Sequence, residues 1–325
     1  RAWLRRLVPV GLRTALRQRL GPLTLPGAAR RLAEICDRLQ PDLVHAMRIP
    51  YEGMLAALAE PAAPLLISIW GNDFTLHAPA SRRMGALTRL ALERAAALHA
   101  DCRRDIRLAG EWGFPTGRPF RVLPGSGGIQ LETFYPPAEP PTQPLVVNPR
   151  GFRAYLRSDT FFRAIPLVLA RCPAARFACP NMAQEAQARA WVEQLGIGAA
   201  VDLLPAQSRE QMAELFRRTQ VVVSPSTHDG TPNTLLEALA CGCFPVVGEL
   251  ESLREWITPA ENGFLVDPGD PQALAAAIVA ALEQPELRRQ AAAYNRQQIE
   301  ERAEYRRCMQ EAENFYLEIT KKSGG

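Results

Sequence analysis

The chain has 325 residues, a net charge of +4 and 47% hydrophobic residues, enough to bury the cores of two domains. No apolar run approaches the roughly 18 residues of a membrane span, and no cleavable signal peptide is visible. The mild charge gives no ground for expecting a nucleic-acid partner; its basic side is almost all arginine, with Lys321 and Lys322 the only lysines.

The opening Arg1-Ala2-Trp3-Leu4-Arg5-Arg6-Leu7, with Arg13, Arg17 and Arg19, is basic and amphipathic. Such a surface is a candidate for peripheral contact with an anionic membrane, although Pro9 and Gly11 interrupt any long interfacial helix. Strands are predicted over 43–47, 65–70, 97–102 and 121–124, with helical patterns between them. A proline-rich linker follows at 136–144. Six more strands are predicted over 145–148, 176–179, 201–204, 221–224, 244–247 and 264–267, enough for a complete Rossmann-like domain. Asp270-Pro271 opens a helix with an N-cap and an N1 proline. A last helix is predicted over about 300–319, with Tyr305, Met309, Ala312, Phe315, Tyr316 and Ile319 at helical spacing. The expected organisation is therefore a first domain over 1–135, the linker, a second domain over 145–299 and a terminal helix over 300–325.

The seven cysteines, Cys36, Cys102, Cys172, Cys179, Cys241, Cys243 and Cys308, are odd in number and include no C-x-x-C pair. Buried thiols in a reducing cytoplasm are the simplest reading, and the spacing in Cys241-Gly242-Cys243 is wrong for a zinc knuckle.

The most informative stretch is 221–267. Its apolar strand ends in Ser-Pro-Ser and is broken by Thr227, His228, Asp229, Gly230, Thr231 and Pro232, before a helical pattern over 233–240. At the carboxyl edge of a parallel α/β sheet, that order offers unpaired N–H groups of a new helix to an anion such as a diphosphate. Asp229 and Glu237, separated by seven residues, are placed to serve one bound molecule. Alone, Asp229 reads equally as a turn residue and Glu237 as a solvated helix residue. Together with Ala240-Cys241-Gly242 and the returning apolar strand, they read as a site.

At these residues the chain resembles the retaining GT-B glycosyltransferases of family 4, whose donor motif is an acid, seven residues and then Glu, in a phrase like S-x-x-E-G-x-P-x-x-x-L-E-A-x-A-x-G-x-P-V-V. The run from Ser126 to Pro136 resembles the family's N-G-I-D-x-x-x-F-x-P, and Asn262-Gly263-Phe264-Leu265-Val266 its G-x-L-V strand. The resemblance covers roughly 40–320. It implies an α/β fold of two Rossmann-like domains facing a cleft, the amino-terminal one incomplete, since the family's first strand and glycine-rich loop have no counterpart. It also implies transfer of a sugar from a nucleoside-diphosphate sugar to an acceptor the sequence does not identify.

The same resemblance gives the residues their roles. Asp229 would bind the donor sugar, Glu237 the ribose, and Gly230, Thr231, Pro232, Asn233, Thr234 and Leu235 would present backbone N–H groups or shape the loop. Register in Asn148-Pro149-Arg150-Gly151-Phe152-Arg153-Ala154-Tyr155-Leu156-Arg157 assigns Arg157 to the family's Lys and Arg153, or else Arg150, to its Arg, all suited to phosphate. A surface arginine is the plain alternative for any one of them. His228 adjoins the acid, and Pro205, in the loop before Ser208, lies where the family reads the base; a Ser208 N-cap explains the same letters. Ser252 and Glu251 stand where the family has glycines. In the first domain Trp70, Gly71, Asn72 and Asp73 occupy the family's His-Gly loop and are expected to line the cleft, with His45, which reads as well as a satisfied core histidine. No cofactor and no metal are expected, because there is no D-x-D pair to hold a divalent ion on a diphosphate. Two rivals stay open: a nucleotide-sugar epimerase of the same fold, and a degenerate nucleotide-binding partner subunit.

Overall fold

The computed structural model describes residues 17 and 19–322. The chain divides into two compact units, one of residues 1–125 with 310–325 and the other of residues 126–309. The basic stretch before residue 17 lies outside the described residues. Arg17 itself stacks its guanidinium 4.8 Å from the Tyr51 ring centroid.

In the first unit, β1 (Val44–Ala46), β2 (Leu65–Ile69), β3 (Ala97–Ala100) and β4 (Phe120–Val122) form a parallel sheet in that order. Every residue of β2 is buried, as expected for a central parallel strand covered on both faces. The helices are α1 (Leu25–Leu39), α2 (Met54–Ala59), α3 (Arg82–Arg94) and α4 (Arg103–Glu111). Ser81 caps α3 by accepting the Met84 N–H, so the turn residues before it end where the helix begins.

In the second unit six parallel strands, β5 (Leu145–Val147), β6 (Arg176–Cys179), β7 (Val201–Leu203), β8 (Val221–Ser224), β9 (Phe244–Gly248) and β10 (Phe264–Val266), run in the order β10-β9-β8-β5-β6-β7. Seven helices complete the series: α5 (Ser158–Arg171), α6 (Ala186–Gln194), α7 (Arg209–Arg217), α8 (Asn233–Ala240), α9 (Pro271–Glu283), α10 (Pro285–Arg302) and α11 (Tyr305–Lys322). The two-residue period of the strands sends Val146, Val221 and Val223 into one core with Phe161 and Ile278, and Val147 and Val222 into another with Phe216 and Leu239. The chain moves one way from β5 through β7, then returns to lay β8 on the other side of β5. Loops leaving β5 and β8 therefore diverge, and the crevice between them is where doubly wound sheets bind ligands.

All ten strands fall within two residues of their predicted positions. The last helix does not. The predicted 300–319 helix is broken between Arg302 and Tyr305, because the Ile129 N–H donates to Ala303 O and the Tyr305 N–H to Ile129 O. Gly128, at φ +101°, permits that approach; a Cβ there would lie 2.7 Å from Ala303 O. Residues 126–135, expected in the first domain, thus pack within the second unit. From residue 310 onward α11 belongs to the first unit, where Phe315 and Ile319 pack with Leu66 and Ala97 and Arg121 donates to Glu318. No described helix is long and apolar enough to cross a membrane.

Candidate functional site

The loop after β5 and the loop after β8 meet through one ion pair. Arg150 Nη2 lies 2.7 Å from Asp229 Oδ2, with the two side chains only 15% and 13% exposed, and Arg150 Nη1 lies 3.4 Å from Thr234 Oγ1 in the first turn of α8. The Arg150 backbone is set by its N–H donating to Asn148 Oδ1 and by Gly151, whose φ of +67° turns the chain. Among the three arginines of this loop, Arg150 is the one brought to the motif acid. Arg153 is exposed and donates to the Tyr155 hydroxyl, while Arg157 is held by both oxygens of Asp159, within the field of Asp267 beyond β10.

The Asp229 loop is fixed from three sides. Thr227 donates from N and Oγ1 to Tyr155 O, Ser252 Oγ donates to Asp229 O at 2.8 Å, and Trp256 Nε1 donates to Thr231 Oγ1 at 3.1 Å. Gly248, at the end of β9, lets the Ser226 backbone come so close that a Cβ would sit 2.3 Å from Ser226 O. Ser252 and Thr231 are buried, and both hold the loop. Pro232, in extended conformation, opens α8, and its carbonyl takes the N–H of Leu235 and Leu236. Leu235 is therefore no donor to an anion. The N–H groups of Asn233 and Thr234, in the first turn, have no place in the helical ladder and remain for one. Gly230 is buried and His228 half-buried in the same loop.

Glu237 lies one helical turn further along α8. Burial pushes its carboxyl up to about 7, against the field of Arg209. Arg209 follows Ser208, whose hydroxyl accepts the Gln211 N–H while Gln211 Oε1 accepts the Ser208 N–H, and Pro205 O accepts from Asn181 N. The N-cap reading of Ser208 is correct, and Arg209 is the first residue of the helix that it caps. Ser208→Ala is expected to cost about 1 kcal/mol, read as a lower urea midpoint at unchanged m-value.

In the first unit the Trp70 loop is built around Asp73. This carboxylate is 1% exposed and accepts from Arg48 Nη2, Ile49 N and Trp70 N. Burial pushes it up to about 6, with Arg48 opposing, so it is ionised at neutral pH. Asp73 thus shapes the loop. Arg48 also donates to Asn72 Oδ1, Gly71 O accepts from Arg104, and the half-exposed Trp70 donates its indole N–H to Met47 O. His45 has both ring nitrogens engaged, Nδ1 with the Tyr316 hydroxyl and Nε2 with Ser68 Oγ, each at 2.8 Å, and burial with the neighbouring His99 lowers it to about 4. It is a neutral, satisfied histidine of the packed sheet.

Sequence reasoning missed Arg209, Trp256 and Tyr155 as supports of the site; only the capping box before Arg209 carried a local signal. Among the described residues, Asp101, Cys102 and Asp105 bring three potential metal-ligand atoms within 4.8 Å. They suit a cation poorly, because Asp105 already accepts two hydrogen bonds from Arg104 and burial pushes the Cys102 thiol far up.

Comparison with known proteins bears on the family and the fold. The family described as "Glycosyl transferases group 1" matches residues 138–298, and "Glycosyl transferase 4-like domain" matches residues 1–125. The D-inositol 3-phosphate glycosyltransferase of Thermobispora bispora is 25% identical over 187 residues, covering 52% of this chain and 44% of that protein. Its counterpart from Geodermatophilus obscurus is 38% identical over 93 residues, 29% of this chain and 21% of that protein. The chain thus spans less than half the length of these two relatives. Among solved structures, the sucrose-phosphate synthase of Thermosynechococcus elongatus superposes with a TM-score of 0.79 at 18% identity, covering 93% of this chain and 79% of that one. Anabaena HepE in complex with UDP and glucose gives 0.73 at 16% identity, covering 88% and 80%. At these identities the likeness shows the fold.

Proposed function

Because this chain belongs to the GT-B glycosyltransferases of family 4, we propose that it transfers a sugar from a nucleoside-diphosphate sugar to an acceptor, with retention of configuration. The observation that carries this reading is the meeting of Arg150, Asp229 and the first turn of α8 at the switch point of the sheet, with Glu237 one turn on. The diphosphate sits at the N–H groups of Asn233 and Thr234 with Arg150 beside it, where donors are already oriented towards charge that builds on the leaving phosphate. Glu237 accepts the ribose hydroxyls and Asp229 the sugar hydroxyls. Positive charge from arginine and helix takes the place of a divalent ion, so transfer proceeds in EDTA. That HepE was solved with UDP and glucose, and that the named sequence relatives are transferases, favours transfer over epimerisation. Exposed Arg19, Leu20 and Leu23 support a peripheral contact with anionic lipid.

The test is thermal stabilisation by UDP, GDP, ADP, TDP and their common sugar conjugates. One nucleotide series is expected to raise the melting temperature through binding linkage, and Glu237→Ala to abolish the rise. Stabilisation that survives in Glu237→Ala would remove the donor-site assignment; anomeric analysis of the product by NMR then decides retention.

A further inference from the structure

Opposite the carboxyl edge that carries Asp229, where β5, β8 and β9 begin, the second unit holds a cavity of about 280 Å3. Its lining is mostly apolar: the rings of Pro136, Pro137, Pro140 and Pro141, with Gly242 just before β9 and Ala292 of α10. The proline segment is fixed in place. Pro141 O accepts from Gln220 Nε2 at 2.7 Å, and Phe134 O, two residues before Pro136, accepts from Arg296 Nη1 at 2.8 Å. A cavity with walls held in this way is formed before a ligand enters. One charged group of the lining has an open hydrogen-bonding edge. The half-buried Arg288 donates from Nη1 to Ala281 O and Leu282 O at the carboxyl end of α9, and among the described residues its Nε and Nη2 have no acceptor. Exposed Arg289 is paired with Glu286, whereas burial lowers the Arg288 guanidinium below its ordinary value with no carboxylate to offset it.

We propose that this cavity binds a small planar aromatic carboxylate, with its ring against the prolines and its two oxygens on the Nε–Nη2 edge of Arg288. That edge of a guanidinium matches a carboxylate in one plane with two parallel hydrogen bonds. One unpaired cation balances one negative charge, which a carboxylate carries and a phosphate monoester exceeds. Proline rings offer C–H edges to the negative face of an aromatic ring, and they lose no rotamer freedom in doing so. Arg288 therefore sets the charge of the occupant and the prolines its flatness. The site lies at the other edge of the sheet from the donor site and stands or falls independently of it.

The experiment is a saturation-transfer NMR titration of the full chain with three probes: 2-naphthoate, the uncharged 2-naphthamide of the same shape, and octanoate, an acid without a ring. Wild type, Arg288→Gln and Ala292→Phe are compared, each checked for folding by circular dichroism. Wild type is expected to bind 2-naphthoate about tenfold more tightly than either other probe. Arg288→Gln is expected to lose the preference for the acid over the amide, and Ala292→Phe, which places a ring in the cavity, to lose all binding. Equal affinity of wild type for 2-naphthoate and 2-naphthamide overturns the proposal, and so does equal affinity for octanoate. Binding of 2-naphthoate that is unchanged in a folded Ala292→Phe, or no saturable binding to wild type, overturns it as well. Should Arg288→Gln fail to fold because the carbonyls of α9 lose their donor, Arg288→Lys keeps the charge without the fork and is expected to reduce the preference for the acid; an unchanged preference there overturns the assigned edge.

Discussion

Glu237→Gln is expected to weaken nucleotide binding by about 10- to 100-fold at pH 8 and, in the same protein without ligand, to raise stability. Both effects follow from the buried carboxyl, which stands at about 7 in the folded chain against an ordinary value of 4.5. A folded-state value above the unfolded one means that the folded protein holds the extra proton. Stability from this group is complete below about pH 4.5 and is lost as the pH rises towards 7. Above that, wild type carries a buried charge, and the glutamine variant escapes a penalty of about 1–3 kcal/mol. Binding runs the other way. Ribose hydroxyls donate to the ionised form, so wild-type affinity climbs between pH 6 and 8, and binding near pH 6.5 releases a proton that calorimetry in buffers of different ionisation enthalpy will detect. Hydrogen bonds to a charged group contribute roughly 1.5–3 kcal/mol each, the source of the expected weakening. The glutamine variant should show a flat pH profile. A residue kept only for packing would give neither the proton release nor the opposed signs; equal nucleotide affinity in wild type and variant at pH 8 would dismiss it as a ligand residue.

The strands were legible because each is a short apolar run bounded by turn residues, and a parallel strand covered on both faces needs no more than that. The motif around Asp229 was legible for the same reason: strand, turn and helix follow one another without a gap. What local pattern does not contain is the order of strands in the sheet. Register against the family put Arg157 and Arg153 ahead of Arg150, whereas placement of β8 beside β5 brings Arg150 to Asp229, and that neighbourhood joins residues 79 apart in sequence. The break before Tyr305 was hidden for a similar reason. The letters Glu301-Arg302-Ala303-Glu304-Tyr305 contain neither glycine nor proline, and the helix stops there because Ile129 takes over its hydrogen bonds. Burial of polar residues was the third gap. Ser252, Thr231 and Asp73 read as ligand-facing by type, and the sequence does not show the backbone or side-chain partners that each has inside the fold.

Asp73 yields the other large effect. Asp73→Ala is expected to destabilise the first unit by about 3–5 kcal/mol at pH 7.5, because it leaves Arg48 without its carboxylate, and the buried N–H of Ile49 and the part-buried N–H of Trp70 without an acceptor. Asp73→Asn keeps the shape and one acceptor oxygen, so it should lose less, and the difference between the two separates the cost of charge from the cost of the unmet amides. Trp70 reports the change directly. Its indole is fixed by the bond to Met47 O, with the Arg48 guanidinium 5.9 Å from its ring, and Arg48 is the group Asp73 holds. Loss of Asp73 should therefore raise the accessibility of Trp70 to a fluorescence quencher before any global unfolding. Nucleotide affinity should be unchanged at temperatures where the variant is folded. Wild-type stability in Asp73→Ala would mean that the loop finds other acceptors; impaired nucleotide binding at full stability would instead return Asp73 to the ligand-contacting role that its sequence position suggested.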